Sequence, residues 1–166
     1  MNMRHFSSFC AIALFATATV AQAKVHRVFP GESIQGAIDA ALPGDTILVE
    51  PGTYNEDANS RYGLRISTDN LRLIGKVKEG QGDAGKVILT PKNPQIGEYL
   101  GDGFEQTGVY AAPAECSPEA DVGDEFCEAN RLKGFYIRGF TVKGYEWNGI
   151  QTRFVNDFKI IRNEAG

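Results

Sequence analysis

The sequence predicts an all-β chain of short stacked strands with one short α-helix near its N-terminal end. Apolar stretches at residues 46–49, 64–66, 71–74, 87–89, 135–137, 140–142, 149–151 and 158–161 are three to five residues long, with Gly, Asn and Asp between them. Helical spacing of apolar residues occurs in one place, residues 34–42. The links are single corners such as Asp69-Asn70 and Asn156-Asp157, where hairpins would need tight two-residue turns between longer strands. A sandwich, a barrel and a solenoid all fit short strands, and the corners favour the solenoid.

The first two dozen residues stand apart from this pattern. Arg4 precedes an apolar run from Phe9 to Val20, and Ala21-Gln22-Ala23 supplies the small-x-small pattern that a signal peptidase cuts after. Residues 1–23 are therefore expected to be a signal peptide, and the mature chain, from Lys24, to be secreted or periplasmic. The apolar run is too short for a membrane anchor, which needs roughly 20 residues. Phe9 before Cys10 argues against a lipidated cysteine.

Of the 17 basic residues, removal of Arg4 leaves sixteen against twenty-one acidic ones, a net charge of −5. An acidic domain without a basic cluster is a poor partner for nucleic acid or anionic lipid. Cys116 and Cys127 are then the remaining cysteines, and in an oxidising compartment such a pair predicts a disulfide. Its loop is short, so the bond acts as a staple contributing about 3 kcal/mol.

The helix comes first. Ile34, Ala37, Ile38, Ala41 and Leu42 form one apolar stripe over about ten residues, with Ser33 as N-cap and Pro43-Gly44 as the stop. Thr46-Ile47-Leu48-Val49 is the first strand, and Pro51-Gly52 turns the chain after it. Phe140-Thr141-Val142 and Phe158-Lys159-Ile160 look like copies of one unit eighteen residues apart, close to the ~20 of one stacked turn. Residues 90–131 read as one long loop insertion, rich in Glu and Asp and pinned by the two cysteines.

The run from Ser33 to Ala41, followed by Pro43-Gly44-Asp45-Thr46-Ile47 and Pro51-Gly52-Thr53-Tyr54, resembles the N-terminal entry of right-handed parallel β-helix proteins of the pectin-lyase-like superfamily. Gly139-Phe140-Thr141-Val142, Asn148-Gly149-Ile150 and Phe158 to Asn163 are similar to that superfamily's coil repeats. The resemblance implies a right-handed single-stranded parallel β-helix with a capping α-helix over its end. It makes residues 24–166 the cap and first coils of a domain whose C-terminal coils are missing. It also implies an extracellular polysaccharide as partner, handled by lyase, hydrolase or epimerase chemistry. The alternative is a non-catalytic module that binds glycan or a partner protein.

The residues give less about chemistry. Gly80-x-Gly82-x-x-Gly85 is followed by a strand where a dinucleotide loop needs a helix, so it reads as a turn. Gly31-Glu32-Ser33 lacks the second glycine of a nucleophile elbow. Soft copper would want His, Met or Cys, and residues 24–166 offer His26, no methionine and the paired cysteines. No cofactor is evident, and the one metal to consider is Ca²⁺. The carboxylates of the insertion, among them Glu98, Asp102, Glu105, Glu115, Glu119, Asp121, Asp124, Glu125 and Glu128, suit it, yet their spacing is not that of an EF-hand and a solvated acidic loop explains them better. Tyr99, Phe104 and Tyr110 wall a sugar groove in one reading and anchor the loop in the other. On the coils, Lys143, Arg153 and Lys159 are the candidates to bind substrate carboxylates, and Trp147 or Tyr145 to stack on a ring face. The competing explanation is that outward charge on a coil serves solubility. The catalytic residues are expected beyond Gly166.

Overall fold

Corner residues set the course of this chain. The computed structural model describes residues 22–58, 61–92, 106–116, 123–145 and 148–166. The strands are β1 (Val25–Val28), β2 (Thr46–Val49), β3 (Gly52–Asn55), β4 (Tyr62–Ile66), β5 (Arg72–Gly75), β6 (Val87–Thr90), β7 (Thr107–Ala111), β8 (Leu132–Lys133), β9 (Tyr136–Arg138), β10 (Phe140–Val142), β11 (Asn148–Thr152), β12 (Val155–Asn156), β13 (Lys159–Ile161) and β14 (Glu164–Ala165). Among the described residues there are also two short helices, α1 (Ile34–Asp39) and α2 (Glu125–Ala129), and a 3-10 turn at Gly82–Gly85. The described chain is mostly β, and every strand pair among the described residues is parallel.

The strands form four sheets, ordered β1-β2-β5-β9-β13, β3-β6-β10-β14, β4-β7-β11 and β8-β12. From β2 onward the chain visits these sheets in rotation, returning to the first at β5, β9 and β13. Each return passes a residue in the left-handed region two positions before the strand: Gly44, Asn70 (φ 56°), Gly134 and Asp157 (φ 54°). Asn and Asp tolerate that region because their short side chains bond locally. Successive corners are also bonded together, the Gly134 N–H donating to the Asn156 carbonyl at 2.9 Å. The corners expected at Asp69-Asn70 and Asn156-Asp157 are therefore present. The eighteen-residue copy is not: β10 and β13 lie in different sheets, and the true pairing sets Thr141 against Glu164, 23 residues on.

Alternate residues point inward, as a pleated strand requires. Ile47, Leu73 and Ile137 stack in register across the first sheet and are wholly buried. Leu64 and Ile66 face them from the third sheet, and Leu89, Phe140 and Val142 from the second, in one core cluster. Ile160 continues the inward column and is 42% exposed. The span read as a loop insertion contains β7, whose five residues are all buried, and α2. Periodicity could not find this strand: Thr-Gly-Val-Tyr-Ala is covered on both faces and does not alternate. Within it Tyr110 stacks on Tyr62 at 4.4 Å and is fully buried, so it anchors this segment to β4. Tyr99 and Phe104 lie outside the described residues. The predicted disulfide between Cys116 and Cys127 is present, both sulfurs buried beside Phe154.

The helix α1 is shorter than its stripe suggests. The Ser33 side chain caps it, accepting from the Gly36 N–H at 3.0 Å, and Ile34 and Ile38 bury themselves in the core. It stops after Asp39, and Leu42 is 63% exposed. The reason is Asp45, whose carboxylate accepts the Leu42 N–H at 3.0 Å and turns the chain before another helical turn can form. A second carboxylate holds the other end. Glu56, just after β3 and 7% exposed, accepts from the Ile34 N–H and from the Ser33 hydroxyl at 3.1 Å. Burial pushes its carboxyl above the ordinary range, against the pull of the bonds from α1. Among the described residues no helix is long and apolar enough to cross a membrane.

Glu56→Ala leaves the buried Ile34 N–H without its acceptor and is expected to cost about 1–3 kcal/mol. Urea unfolding checks this as a lower midpoint at unchanged slope. The Cys116→Ser and Cys127→Ser double variant removes a loop constraint and is expected to cost about 2–3 kcal/mol in the same assay.

Candidate anionic-ligand groove

Outward-facing residues of the first sheet build the site. Leu48, Ile74, Arg138 and Ile161 stand in register on neighbouring strands, as pairs across β2, β5, β9 and β13. Immediately after this row the chain turns toward the second sheet, through Gly75, Gly139 and Arg162. These turns are tight. A Cβ at Gly75 would lie 2.4 Å from the Gly139 carbonyl oxygen, so neither corner has room for a side chain between the layers. Gly139 (φ 77°) and Arg162 (φ 52°) are both left-handed, and the Gly139 N–H donates to the Arg162 carbonyl at 3.1 Å. Asn163 braces the same turn, its amide oxygen accepting from the Phe140 N–H at 3.0 Å and its nitrogen donating to the Ile137 carbonyl at 3.2 Å.

Over these corners runs an open groove of about 640 Å³. Its floor is apolar at Leu48 and Ile74, and its walls carry Lys76, Lys78, Lys86, Arg138 and Arg162 against two carboxylates, Glu79 and Glu164. The chain as a whole has a net charge of −4, so this surface departs in sign from the molecule. Two of the cations are engaged. Lys76 is paired with Glu50, whose carboxyl is lowered chiefly by that bond. Lys86 donates to Glu164 at 2.9 Å, which raises the ammonium and lowers the carboxyl. Among the described residues, Arg138, Arg162 and Lys78 have no carboxylate within ion-pair distance.

Two guanidinium forks and an ammonium that have no ion-pair partner among the described residues, set around an apolar floor, suit a carboxylate, sulfate or phosphate attached to a ring or chain. Acid catalysis is less well provided for. Glu164 is held below the usual carboxylate range, the reverse of what a general acid at neutral pH requires. A second cleft of about 530 Å³ beside α1 has the opposite sign, with Glu32, Asp39, Glu56 and Asp57 against Lys92, and would repel a polyanion.

Of the four residues singled out from sequence, the three that are described lie at strands of three different sheets. Lys143 is exposed after β10, 3.6 Å from Asp83. Arg153 lies between β11 and β12 with its guanidinium 5.6 Å from the Phe154 ring. Lys159 opens β13, in register with Tyr136 and Arg72, which themselves form a cation–π pair at 5.2 Å. Trp147 lies outside the described residues. Tyr145 is not free to stack on a ligand: its hydroxyl donates to the Glu56 carbonyl at 3.2 Å, and burial pushes its ionisation well above the ordinary range. Arg162 and Lys78 were missed because one sits in a corner and the other in a glycine-rich turn. The signal available was Arg138, an outward residue beside a glycine corner.

Among the described residues no three His, Cys, Asp or Glu side chains cluster as a metal site. Of the acidic insertion, Glu98, Asp102, Glu105, Glu119 and Asp121 lie outside the described residues. Asp124 is used as the N-cap of α2, accepting the Cys127 N–H at 2.9 Å, and Glu128 pairs with Arg131 at 2.6 Å.

Gly75→Ala forces the two corners apart and is expected to cost about 1–3 kcal/mol. Thermal unfolding measures the loss, and an unchanged midpoint would show that the corner can give way. No known family model, curated protein or solved structure matches this chain.

Proposed function

We propose that the chain is an exported right-handed parallel β-helix of the pectin-lyase-like kind, and that its corner groove recognises an acidic extracellular polysaccharide. The rotation of strands through parallel sheets, the bonded left-handed corners and the helix over one end all support the coiled architecture. Right-handedness follows the general preference of parallel crossovers. The resemblance of residues 33–54 to the superfamily's entry segment points the same way. One observation carries the function: a groove whose walls hold five cations against two carboxylates on an acidic chain, with Arg138 and Arg162 without an ion-pair partner among the described residues. A uronate chain offers carboxylates to those guanidiniums at ring intervals and lays apolar ring faces on Leu48 and Ile74. The groove is better equipped to bind than to cleave, because its best-placed carboxyl is held ionised.

Calorimetric titration with pectate, alginate and neutral dextran tests this. Uronate chains are expected to bind, less tightly as salt rises, and dextran is not. Arg138→Ala or Arg162→Ala is expected to weaken binding about tenfold or more, the worth of a charged hydrogen bond. Binding of dextran equal to that of pectate, or indifference to both substitutions, would sink the proposal. Growth of ultraviolet absorbance in the same mixtures would add lyase chemistry to recognition.

A further inference from the structure

The Asp45 carboxylate is almost wholly enclosed, with the residue 3% exposed. One oxygen accepts the Lys24 N–H at 2.7 Å, and the other meets His26 Nε2 at 2.8 Å and the Leu42 N–H at 3.0 Å. Lys24 is the residue at which the mature chain is expected to begin. Its nitrogen does not depend on upstream residues for its position, because its carbonyl accepts the Thr46 N–H at 2.8 Å and Val25 is paired with Thr46 in the parallel ladder. Ala23 and Lys24 are exposed, so the bond between them is open to a peptidase.

We propose that Asp45 is a receptor for the new N-terminus, so that cleavage after Ala23 turns a backbone hydrogen bond into a half-buried ion pair between the Lys24 α-ammonium and the Asp45 carboxylate. The peptide bond is hydrolysed by water: Ala23 leaves with a carboxylate, and Lys24 keeps its nitrogen, which takes up a proton. An amide with one N–H becomes an ammonium with three, and a charge-assisted bond to a carboxylate is stronger than a neutral one. The carboxyl is already held down to about 2, chiefly by the Lys24 N–H, then by Leu42 and His26, so it is ionised when the ammonium forms. The other groups facing it are the His26 imidazole from β1 and backbone from the Leu42 turn; Arg72 of β5 contacts Asp45 through its N–H to the Asp45 carbonyl, its guanidinium lying over Tyr136. Removal of the leader thus tightens the junction of β1, β2 and the end of α1, and the exported form is the more stable one. This rests on the proposal that the leader is cleaved after Ala23.

The test compares three preparations: the chain beginning at Lys24, the same chain N-acetylated, and the chain retaining Ala21-Gln22-Ala23. At pH 6.5–7.5 the free-amine form is expected to melt roughly 3–5 °C above the other two, which should agree. Sign follows from linkage. The ammonium's ordinary value is about 8, and a neighbouring carboxylate raises it in the fold. The added stability is therefore complete below about pH 8 and is lost as pH rises through the higher folded value, where the three curves should converge. Repeating the comparison in His26→Gln, which removes the imidazole from the carboxylate, isolates the contribution of the amine. Asp45→Asn should abolish the difference; if that variant does not fold, the three preparations still decide. Equal melting at pH 7, or a gap that persists unchanged above pH 10, overturns the ion pair. Mass spectrometry of the exported protein examines the premise separately: a terminus other than Lys24 overturns the proposal there, whatever the melting curves show.

Discussion

Parallel pairing of strands only a few residues long constrains everything else in this molecule. Parallel neighbours cannot be joined by a hairpin, so after each strand the chain must travel through the other sheets before it returns alongside. Each strand is too short to hold itself, and its place is set by the strand on either side of it in the sheet and by the corners at its ends. That is why the corners are bonded to one another and why left-handed conformations recur at Gly44, Asn70, Gly134 and Asp157. It also explains why the core is a set of columns, such as Ile47–Leu73–Ile137, in place of a single knot of side chains.

The same register creates the groove. If Ile47, Leu73 and Ile137 must face in, then Leu48, Ile74 and Arg138 must face out one residue later, in a straight row. The row ends where glycine corners draw the layers together, and the space left above those corners is the cavity. Its electrostatics follow from which partners reach it. Glu50 reaches Lys76 and Glu164 reaches Lys86, and Arg138, Arg162 and Lys78 are left without carboxylates among the described residues. An acidic chain thereby presents a cationic groove over these corners and an acidic cleft beside α1.

Buried carboxylates mark the two junctions that hold α1. Glu56 accepts from its first turn, and Asp45 organises the turn after its last. Neither is visible as a core residue in the sequence, where a glutamate after Tyr54 and an aspartate after Pro-Gly look like solvated turn positions. Donors fixed by backbone geometry keep them inside, since an enclosed carboxylate is tolerable only when its oxygens are bonded.

By itself the sequence determined the strand-rich class, the helix and its Ser33 cap, the corners at Asp69-Asn70 and Asn156-Asp157, and the pairing of Cys116 with Cys127. These are local matters: period, turn chemistry and cysteine count act over a few residues. Only the tertiary structure decided the 23-residue spacing, the burial of β7, the early end of α1, and the gathering of Arg138, Arg162 and Lys78 around one groove. Lys143, Arg153 and Lys159 were plausible as outward cations, but outwardness is a property of one strand. Convergence depends on which strands become neighbours, and that is set by register across sheets whose partners lie tens of residues apart in the chain.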